Sequence, residues 1–350
     1  MDFALSEDVT ELAGLARRIL DERAEPSAHG EGGFDRAAWQ ELARAGVVDA
    51  ALPSSVGGGG LGILGQCAVL TEVGRTVAEL PYLPVVVAAT ALADSGDGRL
   101  IERWVVPAVR GQAVLAVAVP DAGAPCGFTA QPEGEGWRVS GAQTAVPFAS
   151  FADAFVVQAD TAEGPAVFAL DAERMEVDSQ SVIDHADAGL VEVREASAVR
   201  LPVPATSLRE HATVGLCAQQ LGVLEGALHR TAEYARQRHQ FGHAIGAFQA
   251  VRHRLADAYI DVEAVRLTLW QAAWQLAEGL PAAEAVATAK YWAAEAGHRV
   301  AHSAVHIHGG VGIDTDHELH RYFVAAKRLE FTLGGATAQL RVLGDAFATA

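Results

Sequence analysis

RQRHQFGHAIGAFQ, Arg236 to Gln249, and VHIHGGVGIDTDHELHRY, Val305 to Tyr322, are the two stretches that rise above the helical texture of the last part of this 350-residue chain. Between them Val251, Leu255, Ala258, Val262, Val265, Leu269 and Leu276 recur at helical spacing, which predicts a long helix packed on other helices. Before Pro204 the texture changes. Short β-branched runs at Val114 to Val119, Trp137 to Val139, Phe155 to Val157, Val167 to Leu170 and Val191 to Val193 are separated by Gly, Pro and Asp and read as strands. Earlier still the pattern is helical again, in Leu12, Leu15, Ile19 and in Trp39, Leu42, Ala45, with a Gly-rich break at Gly57 to Gly60 and a proline-punctuated stretch, Leu80 to Val85. The expected organisation is α+β: an N-terminal helical domain over 1–112, a middle β-strand domain over 113–204 and a C-terminal helical bundle domain over 205–350. Blocks in that order, without βαβ alternation, exclude a doubly wound nucleotide fold. The glycines of 57–62 lack the flanking strand and helix of a dinucleotide fingerprint.

Composition narrows the function classes. Half of the residues are hydrophobic and 20% are charged, as in a globular protein able to bury its own core. A net charge of -18 lacks the clustered positive charge of a nucleic-acid binder. The three cysteines, Cys67, Cys126 and Cys217, are widely spaced and odd in number, which fits neither a disulfide framework nor a zinc site and points to a reducing compartment. The acidic opening MDFALSEDVTEL and the lack of any run of 18 apolar residues predict a cytoplasmic protein outside the membrane.

Together, the two motifs and the helix, strand, helix layout resemble the acyl-CoA dehydrogenase family over the whole chain. The resemblance implies that family's fold, ending in a four-helix bundle, and an FAD shared across a subunit interface, with the flavin ring held by one chain and the pyrophosphate and adenine partly by its neighbour. Arg238 then offers a planar charged fork for the pyrophosphate. Phe241 supplies an apolar face, Gln240 a polar neighbour and Gln249 an amide at the start of the next helix. His306 stands where the family usually has Gln, and Gly309 and Gly310 let backbone approach the cofactor. The bland reading of the same residues is an arginine paired with a surface carboxylate and glycines that end a helix. Histidines at 302, 306, 308, 317 and 320 lack any known metal-ligand spacing, so no metal is expected.

Elsewhere the family's pattern is lost. Its Thr-Glu-Pro and Ala-Gly-Ser are Ala118, Val119, Pro120 and Ala122, Gly123, Ala124 here, and its Trp-Ile-Thr on the flavin is Ala145, Val146, Pro147. The usual catalytic glutamate falls on Leu333, and the alternative base position of other members falls on Ala212. Glu210 and Glu330 are the weak substitutes, Glu210 lying about 200° around the helix from Ala212. The resemblance is therefore strongest to the small, base-lacking subunit of heteromeric actinobacterial, sterol side-chain type enzymes. It implies α,β-dehydrogenation of an acyl-CoA thioester, as fatty acid or sterol degradation requires. A larger catalytic subunit is the expected partner, in a dimer of heterodimers. A self-sufficient homomeric flavoenzyme with a relocated base, or a non-catalytic scaffold, remains the alternative.

Overall fold

A computed structural model describes residues 5–23, 32–134 and 136–349. The first four residues of the acidic opening lie outside the described residues. The N-terminal block holds α1 (Glu7–Arg23), α2 (Arg36–Arg44), α3 (Gly62–Arg75) and α4 (Tyr82–Asp94), then α5 (Gly98–Leu100), a π turn over Ile101–Val105 and α6 (Val106–Val109). Leu12, Ile19, Trp39 and Leu42 are buried, as their spacing requires. Asp35 starts α2 by accepting the Ala38 amide at 2.9 Å. The proline-punctuated stretch Leu80 to Val85 starts a helix. Pro81 is the N-cap of α4 and Pro84 sits in its first turn, where a missing N–H costs no intrahelical bond.

The strand block contains β1 (Leu115–Ala118), β2 (Phe128–Glu133), β3 (Gly136–Pro147), β4 (Ala154–Thr161), β5 (Gly164–Asp171), β6 (Glu176–Ser179) and β7 (Ala188–Leu201). All five runs expected from the sequence fall in strands; β2 and β6, rich in Thr, Gln, Glu and Asp, were not foreseen. Strands β4, β2, β3, β7 and β5 pair in that order, and β5 pairs back with β4, which closes a small barrel. Its interior is packed by Phe128, Val139, Phe155, Phe168 and Val191. Alternate residues Val156, Val167 and Val117 join the helical core instead.

In the last block α7 (Ala205–Gln237), α8 (Gln249–Ala277), α9 (Ala283–His308) and α10 (Glu318–Phe331) form the four-helix bundle, and α11 (Ala336–Thr349) lies on α9. Ala258, Val262, Val265 and Leu269 are buried, while Val251 and Leu255 at the start of the stripe are half-buried. Helix α7 crosses α3 backbone to backbone: a Cβ on Gly222 would stand 1.9 Å from the Thr71 carbonyl oxygen. Buried Gln220 donates to the Ala293 and Ala326 carbonyls and so ties α7 to α9 and α10. Among the described residues no helix is long and apolar enough to cross a membrane. With the α3–α4 connection, β1, β3, α7 and α10 fixed against one another, their ends surround a cavity.

Candidate functional site

The cavity has a volume of about 550 Å³ and lies where the three blocks meet. Leu80 and Leu83 come from the N-terminal block, Val117 to Val119 from the end of β1, and Gln143 to Phe148 from the end of β3. Ala212, Leu216 and Gln219 come from α7, and Leu329 and Leu333 from α10 and the turn after it. The pairing of β3 with β7 slips between Gln143 and Val146, and Ala145 there has a φ of 55°. This bulge aims the 143–147 segment into the cavity.

Two polar groups of that segment are already paired with neighbouring chain. Gln143 Nε2 donates to the Val119 carbonyl at 2.8 Å, and the Ala145 amide donates to Gln180 Oε1 at 2.7 Å. Pro147 has no N–H to offer. A flavin ring, with nitrogens and oxygens around its edge, therefore finds neither the Ala145 amide nor an amide at 147 free, so this segment does not fit it.

Both family base positions, Leu333 and Ala212, line the cavity. Leu333 has a φ of 59° and is followed by Gly334 at 93°. The turn is held firmly: Gln339 Nε2 donates to the Leu333 and Gly334 carbonyls at 3.1 and 3.2 Å. Behind it, fully buried Lys290 donates to the Leu329 and Glu330 carbonyls at 3.1 and 3.0 Å, capping α10, and burial pushes its pKa down to about 8. The two substitute carboxylates are elsewhere. Neither Glu210 nor Glu330 is among the residues lining the cavity. Glu330 is held by Lys327 at 2.6 Å, and Glu210 is half-buried on α7, its pKa raised by that burial. Asp121, which does line the cavity, also has its carboxyl raised, chiefly by burial and against a hydrogen bond from the Leu333 amide.

The residues of the first motif sit at a different place. Arg238 is the C-cap of α7, and β8 (His239–Gln240) and β9 (His243–Ala244) form a hairpin whose tip is Phe241–Gly242, both at positive φ. Phe241 is 89% exposed, its ring edge-on to that of Phe248 with centroids 6.3 Å apart. Arg238, Gln240 and Gln249 are exposed, and Arg238 has no carboxylate partner among the described residues. Among the described residues the surface ion pair of the bland reading is not formed. Gln249 begins α8, its amide 3.5 Å from His253 Nε2.

The second motif is brought alongside. His308 is buried at the end of α9, and its ring stacks on Tyr234, one turn before Arg238, with centroids 4.2 Å apart. Burial keeps its pKa below the ordinary value, so the ring is neutral at pH 7. His306 is exposed, and Gly309 follows with φ 64° and ψ -137°, a backbone open only to glycine. A Cβ at Gly309 or Gly310 would meet no atom within 4 Å, so the main chain there is uncovered. This side, with an unpaired guanidinium and bare backbone, fits the anionic portion of a dinucleotide. Tyr234 was missed from the sequence, although its place one turn before Arg238 was the available signal. The other histidines have local duties: His317 Nδ1 accepts the Leu319 amide to start α10, and the His298 and His302 rings meet at a tilt of 46°. Among the described residues no group of His, Cys, Asp and Glu is arranged to hold a metal.

Known proteins match along the whole chain. Residues 6–112 match the family described as acyl-CoA dehydrogenase, N-terminal domain, and residues 205–347 the acyl-CoA dehydrogenase, C-terminal domain. Acyl-CoA dehydrogenase FadE27 of Mycobacterium tuberculosis is 45% identical over 98% of this chain and 98% of its own length. A chain in the crystal structure of the ChsE4-ChsE5 complex from Mycobacterium tuberculosis superposes with a TM-score of 0.95 at 46% identity, covering 100% of both chains. A chain of the Tcur3481-Tcur3483 steroid ACAD G363A variant gives 0.93 at 40% identity over 98% of each.

Proposed function

This chain belongs to the acyl-CoA dehydrogenase family, and from that premise we propose that it is the base-lacking subunit of an FAD-dependent heteromer, lending an adenine-side grip to a larger catalytic partner. One observation carries the reading: Leu333 and Ala212, which the resemblance aligns with the family's base positions, line the cavity, while Arg238 stands exposed at the end of α7 without a carboxylate partner among the described residues. FAD, when bound, accepts a hydride from the carbon β to the thioester. In this chain Arg238 holds the pyrophosphate, and Phe241 covers the dinucleotide. Gln240, Gln249 and His306 offer hydrogen bonds, and Gly309 and Gly310 give close main-chain approach. The partner supplies flavin bed and carboxylate. Similarity to chains of two-component complexes, one of them described as a steroid ACAD, supports a heteromer acting on an acyl-CoA with a sterol-type acyl group. The reading includes three domains, a dimer of heterodimers and a cytoplasmic location.

The relocated bases of a self-sufficient flavoenzyme, Glu210 and Glu330, do not line the cavity, and among the carboxylates that do, Asp184 pairs with Arg328 and Asp121 lies at the Leu333 turn. The test is Arg238→Ala in the complex co-expressed with a longer homologue that carries the glutamate. Loss of a charge-assisted contact to phosphate weakens FAD retention by roughly 10- to 100-fold. Unchanged retention would show that Arg238 does not hold the cofactor.

A further inference from the structure

Arg230, Tyr234 and Arg238 follow one another at four-residue steps and so share one stripe at the end of α7. Arg230 is engaged by α10: its Nε donates to Glu318 at 2.9 Å, and its guanidinium stands over the Tyr322 ring at 4.5 Å. Arg238 meets no carboxylate among the described residues. Tyr234, between them, reaches the last residue of α9. Its ring lies on that of His308 with centroids 4.2 Å apart and planes at 21°, and its hydroxyl donates to the His308 carbonyl at 3.5 Å. We propose that Tyr234 and His308 are positioning residues, whose stacked rings hold the Arg238 end of α7 in register with the Gly309–Gly310 main chain so that both face one phosphate-bearing ligand. The proposal rests on the reading that this surface grips the anionic part of FAD.

Each ring is fixed to its own side of the junction. The Arg238 amide donates to the Tyr234 carbonyl at 2.8 Å, and the Arg238 carbonyl accepts the Ile245 amide at 2.7 Å. The main chain that carries the guanidinium is thus tied to Tyr234 behind it and to the hairpin ahead. On the other side His308 Nδ1 donates to the Ala304 carbonyl at 2.9 Å, which sets the orientation of the ring on α9. The short turn Gly309–Ile313 folds back over His308, so that a Cβ at Gly312 would stand 3.1 Å from the His308 Cβ. The His308 ring also meets His317, the N-cap of α10, edge-on with centroids 5.6 Å apart. The stack therefore sits where α7 and α9 end and α10 begins.

Helix ends are where such a device matters. The last turn of a helix lacks its full set of intrahelical bonds and frays. A misplacement of about 1 Å in a group that holds a ligand costs up to about a hundredfold in function. Tyr234 is half-buried and lies outside the main apolar core, so its ring is not needed there as filling. What the flat pair adds over an aliphatic contact is a preferred separation and tilt between two chain ends that are far apart in sequence. The hydroxyl bond acts at the carbonyl next to Gly309, whose φ of 64° and ψ of -137° begin the uncovered main chain.

The test is a double-substitution cycle on FAD retention, read as the dissociation constant from recovery of flavin fluorescence on dilution of the complex with a glutamate-bearing homologue. Tyr234→Leu removes the stack and should weaken FAD by about tenfold, whereas Tyr234→Phe keeps the ring and should stay within about twofold of the parent. Register matters only while both halves grip, so Tyr234→Leu added to Arg238→Ala should weaken FAD by no more than about a further twofold. His308→Leu removes the same stack from the α9 side and should give the same pattern, which keeps the test decisive if Tyr234→Leu does not fold. Losses that add to those of Arg238→Ala, or Tyr234→Phe as weak as Tyr234→Leu, would overturn the proposal. Unchanged retention in Tyr234→Leu beside weakened retention in Arg238→Ala would overturn it and leave the grip standing. Unchanged retention in Arg238→Ala would overturn the grip and the proposal together.

Discussion

Phe241→Asn should move two quantities in opposite directions. In the lone chain the Phe241 ring is 89% exposed, makes one edge contact with Phe248 at 6.3 Å, and sits at a φ of 54°. That backbone costs a bulky residue about 1 kcal/mol, and asparagine tolerates it. The lost ring contact is worth about 0.5 kcal/mol at such an exposed place. The isolated chain should therefore gain about 0.5 kcal/mol, a rise in Tm of about 1 °C or less for a protein of this size. In the complex the same ring has nearly its whole area left to bury. Burial of a phenylalanine is worth about 1.5–3 kcal/mol, so the substitution should weaken FAD retention by roughly 10- to 150-fold. Thermal melting of the chain and recovery of flavin fluorescence on dilution of the complex measure the two effects. A fall of several degrees in the melt, or retention equal to the parent's, would refute the assignment of this ring to an intermolecular contact.

The inner site gives further expectations. Leu333→Glu places a carboxylate at the usual base position but restores no flavin bed, and the isolated variant should show no acyl-CoA-dependent dye reduction. Turnover would mean that the bed is functional. Burial lowers the Lys290 pKa from 10.5 to about 8, so in that window the unfolded chain binds a proton that the folded chain does not. Stability should therefore rise with pH between about 8 and 10.5, by at most about 3 kcal/mol, and Lys290→Met should abolish the rise. A pH-independent difference in Tm between the two proteins would contradict it. Gly222→Ala drives a Cβ to within 1.9 Å of the Thr71 carbonyl and should open the α3–α7 crossing, destabilising the chain by about 3 kcal/mol or more in denaturant melts.

Block order and core stripes were legible because apolar periodicity reports which face is buried: Ala258, Val262, Val265 and Leu269 recur at helical spacing and are all covered. β2 and β6 were not legible. Their Thr, Gln, Glu and Asp residues take their conformation from pairing with β3 and β7, which a local pattern does not contain. At the site, substitutions such as Leu333 and Ala145 could be seen as losses, but their convergence on one cavity could not. Nor could the bonds of Gln143 to the Val119 carbonyl and of the Ala145 amide to Gln180, whose partners lie 24 and 35 residues apart in sequence. Tyr234 and His308 lie 74 residues apart, and only the bundle brings their rings together beneath the two motifs.

The kept and lost residues become a division of labour only if flavin follows the partner. Flavin per polypeptide, counted by absorbance after release from the purified proteins, tests this most directly. The account predicts none in this chain expressed alone and one FAD for every two chains in the complex with a glutamate-bearing homologue. One FAD bound per copy of this chain alone, with oxidation of an acyl-CoA, would contradict it.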